Sequence, residues 1–452
     1  MPLRYKGHVT FKYRTWAVVL TLAFALQACV ETPARPSSSP SSTATVAVSA
    51  PAVAPSPSAA GLAAAPFARF GPVRRWYTVP DGAFREDVTV AVTFPDTDPT
   101  PGAPRLRLRA NGRVSRLERS DLGVAFWRGT MPLDGVTPGE HELEAIVRLR
   151  DGSDAVLATT RFLVSAPEYV VWTLDFEGDE ASDEAMLNTG AIADSLKIPM
   201  IVMWNPRAWT SAQVSLARAN AMFAWMNARA DEVALHLHMW TDYVRAAGVV
   251  PRSQPRWAGR LDGYDVPITA YTEEEQGKLI AYGLRLMADH GSNGVTSFRA
   301  GGLIADAATL RVAAANGITA DCSATGAGSF GALRLPWTLA ADAQPYRPSR
   351  DDANRAGDLP LLEAPTNAGN TYGYTSSSIA AIVRSDLAML AKPGEVAAAR
   401  KGLTVVSHPG TIDATERAAI EALFHAFDPL RYDRDVGPVR FVTLRQLAQA
   451  WR

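Results

Sequence analysis

The sequence predicts an α/β fold preceded by a small all-β sandwich of immunoglobulin-like type. Two patterns predict it. Short period-2 stretches recur up to about residue 166, and strands then alternate with helices to residue 452. A third observation places the chemistry, because polar side chains gather where the predicted strands of the second part end.

The first 28 residues read as an export signal. Arg4, Lys6, Lys12 and Arg14 form a basic start, and the apolar run from Trp16 to Leu26 is too short to span a bilayer. Leu26-Gln27-Ala28-Cys29 resembles the bacterial lipoprotein box, which implies a lipid on Cys29 and attachment to a membrane through it. Val30 is not the aspartate that retains some lipoproteins at the inner membrane. Residues 29–66 are rich in Pro, Ser, Ala and Thr and cannot bury a core, so they read as a flexible tether. The expected location is a bacterial membrane surface, facing the periplasm or the cell exterior. Cys322 is the only other cysteine, so lipidation of Cys29 would leave no intrachain disulfide. The chain's 45 basic and 46 acidic side chains nearly cancel, and nothing points to nucleic acid as a partner.

Residues 67–166 read as all-β. Val88, Val90, Val92 and Phe94 alternate with Asp87, Thr89, Ala91 and Thr93. Leu106 and Leu108 alternate with Arg105, Arg107 and Arg109, and the Asn111-Gly112 turn follows. Residues 142–150 and 155–164 flank a turn at Asp151-Gly152, a hairpin signal. Evenly spaced short strands suggest the sandwich.

Residues 167–452 alternate strands (170–174, 198–203, 233–237, 295–298, 318–321, 359–364, 403–407 and 439–442) with helices. Residues 211–228 are Ala-rich with spaced apolar positions. Residues 272–290 open with three glutamates, which suit a helix N-terminus, and stop before Gly291. Asp306 could cap a helix ending at Gly317, and Asp413 and Glu416 have capping-box spacing. The alternation argues a parallel-stranded domain, open or barrel-like.

Side chains two apart on a strand share a face, so His236 and His238 form an imidazole pair and Asp175 and Glu177 a carboxylate pair. Two neutral imidazoles and a carboxylate hold zinc or another divalent transition metal (cobalt, nickel, iron or manganese) with open positions for water. Asp179 could replace Glu177 as the acidic ligand. Arg299, Asp321, Glu363 and His408 stand at further strand ends, where β/α barrels assemble their sites. Each also has a bland reading: hydrogen-bonded core histidines, strand-end caps or rim salt bridges.

With these residues in view, residues 169–452 resemble the polysaccharide deacetylase superfamily (NodB homology, carbohydrate esterase family 4). Thr173-Leu174-Asp175-Phe176-Glu177-Gly178 resembles its first motif and Leu235-His236-Leu237-His238-Met239-Trp240 its metal-binding second. Ser297-Phe298-Arg299-Ala300-Gly301-Gly302, Ala320-Asp321-Cys322-Ser323 and Val406-Ser407-His408-Pro409 resemble the later three. Residues 345–349 and 361–365 also look like a subgroup of this family. The chain departs from the pattern in three places. Phe176 separates the two acids, Trp240 occupies the position four after His236, and Ala300-Gly301 stands where a proline is usual.

The resemblance implies a distorted (β/α) barrel and a metal-dependent deacetylase acting on an acetylated cell-envelope or exported polysaccharide. It implies Glu177, His236 and His238 as metal ligands, Asp175 as base and His408 as general acid. Arg299 would hold Asp175, and Asp321 would orient Arg299. Aromatic faces stack on sugars, and long loops at a barrel rim are often functional. Loop 241–271 carries Trp257 and Tyr264 and loop 325–358 carries Trp337 and Tyr346, and of the aromatics near the site Trp240, Trp257 and Tyr346 are the expected substrate contacts. The alternatives are a non-catalytic glycan-binding lipoprotein on the same frame, or a metal hydrolase for another amide.

Overall fold

The computed structural model describes residues 68–94, 103–121, 126–149, 151–372 and 374–451. The expected signal, Cys29 and the tether lie outside the described residues. Among the described residues no helix is long and apolar enough to cross a membrane.

The period-2 stretches fold as strands: β1 (Arg69–Phe70), β2 (Trp76–Thr78), β3 (Val88–Thr93), β4 (Arg105–Leu108), β5 (Val114–Arg119), β6 (Phe126–Met131), β7 (Gly139–Arg148) and β8 (Asp154–Ser165). Val88, Val90 and Val92 are buried beside Leu106, Leu143, Phe162 and Trp127, while Thr89 and Ala91 face out. The turns at Gly112 and Gly152 adopt φ of 68° and 83°, a conformation that glycine reaches without strain. An immunoglobulin-like sandwich would have two separate sheets. Here β5 pairs with both β4 and β6, so one hydrogen-bonded series runs β1-β3-β6-β5-β4-β7-β8-β2.

The second part is built on β9 (Glu168–Asp175), β10 (Ile201–Trp204), β11 (Glu232–Leu237), β12 (Ser297–Ala300) and β13 (Ala320–Asp321). A small hairpin, β14 (Ser329–Phe330) and β15 (Leu333–Arg334), precedes β16 (Leu362–Glu363), β17 (Lys401–Ser407) and β18 (Val439–Phe441). Seven strands run parallel in the order β16-β13-β12-β11-β10-β9-β17, and β18 also pairs with β9. Every residue of β9 is buried, as expected where both sheet faces are covered. Beyond β16 the chain returns alongside β17 through Thr371 N–H to Val406 O at 2.8 Å and Val406 N–H to Gly369 O at 3.0 Å. The sheet therefore curls, as a distorted barrel would.

The helices are α1 (Asp183–Leu196), α2 (Leu216–Asn227), α3 (Thr241–Ala246), α4 (Glu273–Asp289), α5 (Ala307–Ala315), α6 (Ile379–Ala388), α7 (Ala414–His425) and α8 (Leu444–Ala450). Thr272 and Glu275 form a reciprocal capping box on α4, and Asp306 caps α5. Asp413 caps α7, but Glu416 does not complete its box. Its carboxylate accepts instead from Thr371 and Thr411, because the segment beside β17 brings those hydroxyls within reach.

The two parts are joined through charged and aromatic contacts. Asp435 accepts from the backbone N–H groups of Arg75 and Trp76, both at 2.8 Å. Arg440 stacks on Tyr432 and Phe84 while pairing with Glu86 at 3.1 Å. Just past this seam, Glu168 is 1% exposed, and among the described residues only its Oε1 is hydrogen-bonded, to Ala391 N–H at 2.8 Å. Burial pushes its carboxyl up to about 7, against the attraction of the Ala391 N–H and Lys401.

The folded state therefore binds this proton more tightly than the unfolded chain. Stability should fall as pH rises from the ordinary glutamate range through about 7, by up to roughly 3 kcal/mol. We expect Glu168→Gln to lose less stability than wild type between pH 5 and pH 8 in urea titrations. Parallel pH dependence of the two proteins would refute this.

Candidate metal centre

Parallel register brings the polar strand ends together. His236 pairs with Arg299 across β11 and β12, and Asp175 with Met203 across β9 and β10. Glu177 and His238 follow the ends of their strands, and His408 follows β17. Each strand thus delivers its side chain to the same end of the sheet.

The imidazoles are oriented by backbone carbonyls. His236 Nδ1 lies 3.0 Å from Arg299 O, and His238 Nδ1 lies 3.1 Å from Tyr264 O, so with Nδ1 as donor both Nε2 lone pairs face the centre. Glu177 Oε2 stands 2.6 Å from His238 Nε2 and 3.5 Å from His236 Nε2. On its other oxygen, Glu177 Oε1 lies 3.3 Å from His408 Nε2. Tyr264 stacks on His238 with centroids 4.0 Å apart and donates its hydroxyl to Glu177 at 3.2 Å. Gly301 lets the backbone pass close under His238, since a Cβ there would lie 2.7 Å from the imidazole ring.

Burial opposes charge on Glu177, but the adjacent His238 and His236 outweigh it and hold the carboxyl well below its ordinary range. Burial likewise opposes protonation of His236, and Asp175 and Glu177 overcome it, raising the imidazole. Arg299 is fully buried. It donates to Cys322 O (3.0 Å), Thr173 Oγ1 (2.6 Å), Asp175 Oδ1 (2.8 Å) and Thr366 Oγ1 (3.1 Å). Asp175 Oδ2 remains directed to the centre, 4.0 Å from His236 Nε2.

These residues fit a metal. One donor atom each from Glu177, His236 and His238 lies within 4.8 Å of the others, and His236 Nε2 is buried without a hydrogen-bond partner among the described residues. Two imidazole nitrogens and a carboxylate suit a divalent transition ion.

Several sequence expectations need correction. Asp179 is exposed and does not join the imidazoles, so Glu177 is the acid at the centre. Asp321 makes no hydrogen bond to Arg299, whose orientation comes from Cys322, Thr173 and Thr366. Trp240 is 1% exposed, lies between Arg207 and Arg260, and donates to Glu177 O, so it offers no face to a sugar. Trp257 is buried against His238, Tyr264 and Phe330. Tyr346 packs next to Glu363 and donates to Ala353 O, away from the cleft.

The cleft is lined instead by Phe330, Tyr372, Asn370, Phe176 and Tyr264, beside Glu177 and His408. Its volume is about 490 Å³. Tyr372 and Phe330 are its exposed aromatics, at 66% and 38%. Neither stands in a strand-end motif, and a tyrosine or phenylalanine in a loop carries no signal without its neighbours.

No protein-family model and no curated protein sequence matches the chain. Among solved structures, the chain is similar to a Mycobacterium smegmatis protein described provisionally as a polysaccharide deacetylase. The two are 12% identical over 63% of this chain and 90% of that one, with a TM-score of 0.41. It is also similar to a family 4 carbohydrate esterase from Streptomyces lividans solved with acetate (12% identity, 57% and 88% covered, TM-score 0.31). A third is a mutant of a CE4-family pseudoenzyme (8% identity, 72% and 92% covered, TM-score 0.29). What this chain can do is decided by its own residues.

Proposed function

We propose that this protein is a metal-dependent hydrolase that removes acetyl groups from a cell-envelope or exported polysaccharide, held at a membrane by a lipid on Cys29. The observation that carries the reading is the convergence of His236 Nε2, His238 Nε2 and Glu177 beside a buried Asp175–Arg299 pair. A divalent transition metal held by those three residues would supply Lewis acidity and an acidified water, with zinc the expected ion.

The remaining work falls to the chain. Arg299 Nη1 holds Asp175 Oδ1 while Oδ2 faces the centre 4.0 Å from His236 Nε2, so Oδ2 is the atom that takes a proton from the attacking water. His408 Nε2 stands on the far side of Glu177 and gives a proton to the departing nitrogen or oxygen. Tyr372 flanks its ring at 6.0 Å, and this exposed aromatic face is available to stack on the leaving sugar.

The test is acetate release from acetylated glycans. We expect release that a chelator abolishes and added zinc restores; full activity in the metal-free protein would refute the mechanism. Tyr372→Ala should raise KM by roughly 10-fold, in line with the loss of a stacking contact worth about 1–1.5 kcal/mol, with kcat little changed. An unaltered KM would remove Tyr372 from the substrate site.

A further inference from the structure

Behind the centre, Asp321 and Glu363 occupy paired positions on the neighbouring parallel strands β13 and β16, and both are 0% exposed. Two carboxylates facing each other in a dry interior cannot both be charged at low cost. The hydrogen bonds say where the shared proton sits. Asp321 already accepts from Ser323 N–H at 2.8 Å and Ser323 Oγ–H at 3.0 Å, as an anion does. Glu363 Oε1 accepts from Ala324 N–H at 2.9 Å, whereas its buried Oε2 receives no donor among the described residues.

We propose that Glu363 is held as a neutral acid whose Oε2–H donates to Asp321, and that this pair positions Arg299 and the two imidazoles. Ser323 Oγ, fixed by Asp321, accepts from Ala300 N–H at 2.9 Å, next to the Gly301 that underlies His238. Between Asp321 and Ser323, Cys322 O receives Arg299 Nε, and Arg299 O in turn faces His236 Nδ1. Glu363 and Asp321 thus act through backbone groups, as positioning residues.

The charged and titratable groups around the pair are Arg299, Cys322, Tyr346 and, farther off, Asp175. Burial and the neighbouring Asp321 push the Glu363 carboxyl well up. Asp321 is also raised by burial, but the Glu363 hydrogen bond, Ser323 and Arg299 oppose that rise. The catalytic consequence rests on the hydrolase reading above; the protonated pair does not.

The test uses the full chain with Glu363→Gln and Glu363→Leu. Infrared difference spectra at pH 7, wild type minus Glu363→Gln, should show a protonated-carboxyl C=O band. Other buried acids, such as Glu168, contribute equally to both spectra and cancel. Competition against a chromophoric chelator should give Glu363→Gln a zinc affinity like that of wild type, because its amide still donates to Asp321. Glu363→Leu should bind zinc roughly 10–100-fold more weakly.

Absence of the band, or equal weakening in both variants, would overturn the proposal. If Glu363→Leu does not fold, the band and Glu363→Gln decide it. Failure of wild type to take up zinc would instead overturn the hydrolase reading, and the band would still decide the pair.

Discussion

His236→Ala and His238→Ala should each purify without bound transition metal, whereas wild type should carry about one ion per chain. Removing either imidazole takes away one of three donors, and outer-sphere changes alone commonly cost roughly 10–100-fold in affinity. Loss of a donor should exceed that, and acetate release should fall to background. Elemental mass spectrometry reads the metal directly. Each substitution also unpairs a carbonyl, Arg299 O or Tyr264 O, at a cost of about 1–3 kcal/mol. A circular dichroism melt must therefore accompany the metal measurement. Stoichiometric metal in a folded variant of either histidine would remove that residue from the centre.

The second large effect separates catalysis from stability at Asp175 and Arg299. Asp175→Asn should lower kcat by roughly 10²–10⁴, the usual worth of a general base, while metal content stays near one ion. Arg299 keeps neutral acceptors at Cys322 O, Thr173 and Thr366 in that variant, so the fold should persist. Arg299→Met is different. It leaves the carboxylate of Asp175 buried at 4% exposure without its cation, a loss of about 3–5 kcal/mol. Combining the two substitutions should cost less than their sum, because the carboxylate that Arg299→Met strands is absent from the double variant. An additive double-mutant cycle would show that the two groups do not interact.

The sequence determined the strand-end positions of the centre. Period-2 spacing put His236 with His238 and Asp175 with Glu177, and a parallel sheet then delivers strand ends to one rim. It also marked the turns at Gly112 and Gly152, the acidic start of the helix at 272 and the caps at Asp306 and Asp413, since these depend on residues a few positions apart.

What only the tertiary structure decided involves partners far apart in the chain. Trp240, read as a sugar platform, is enclosed because Arg207 and Arg260 arrive from other loops. Tyr264 and Tyr372 reach the centre because their loops fold over it, and Glu363 meets Asp321 only through the β13–β16 register. Local patterning fixes which side chains share a face. Whether that face meets solvent, substrate or another carboxylate depends on the long-range packing that no short window of sequence records.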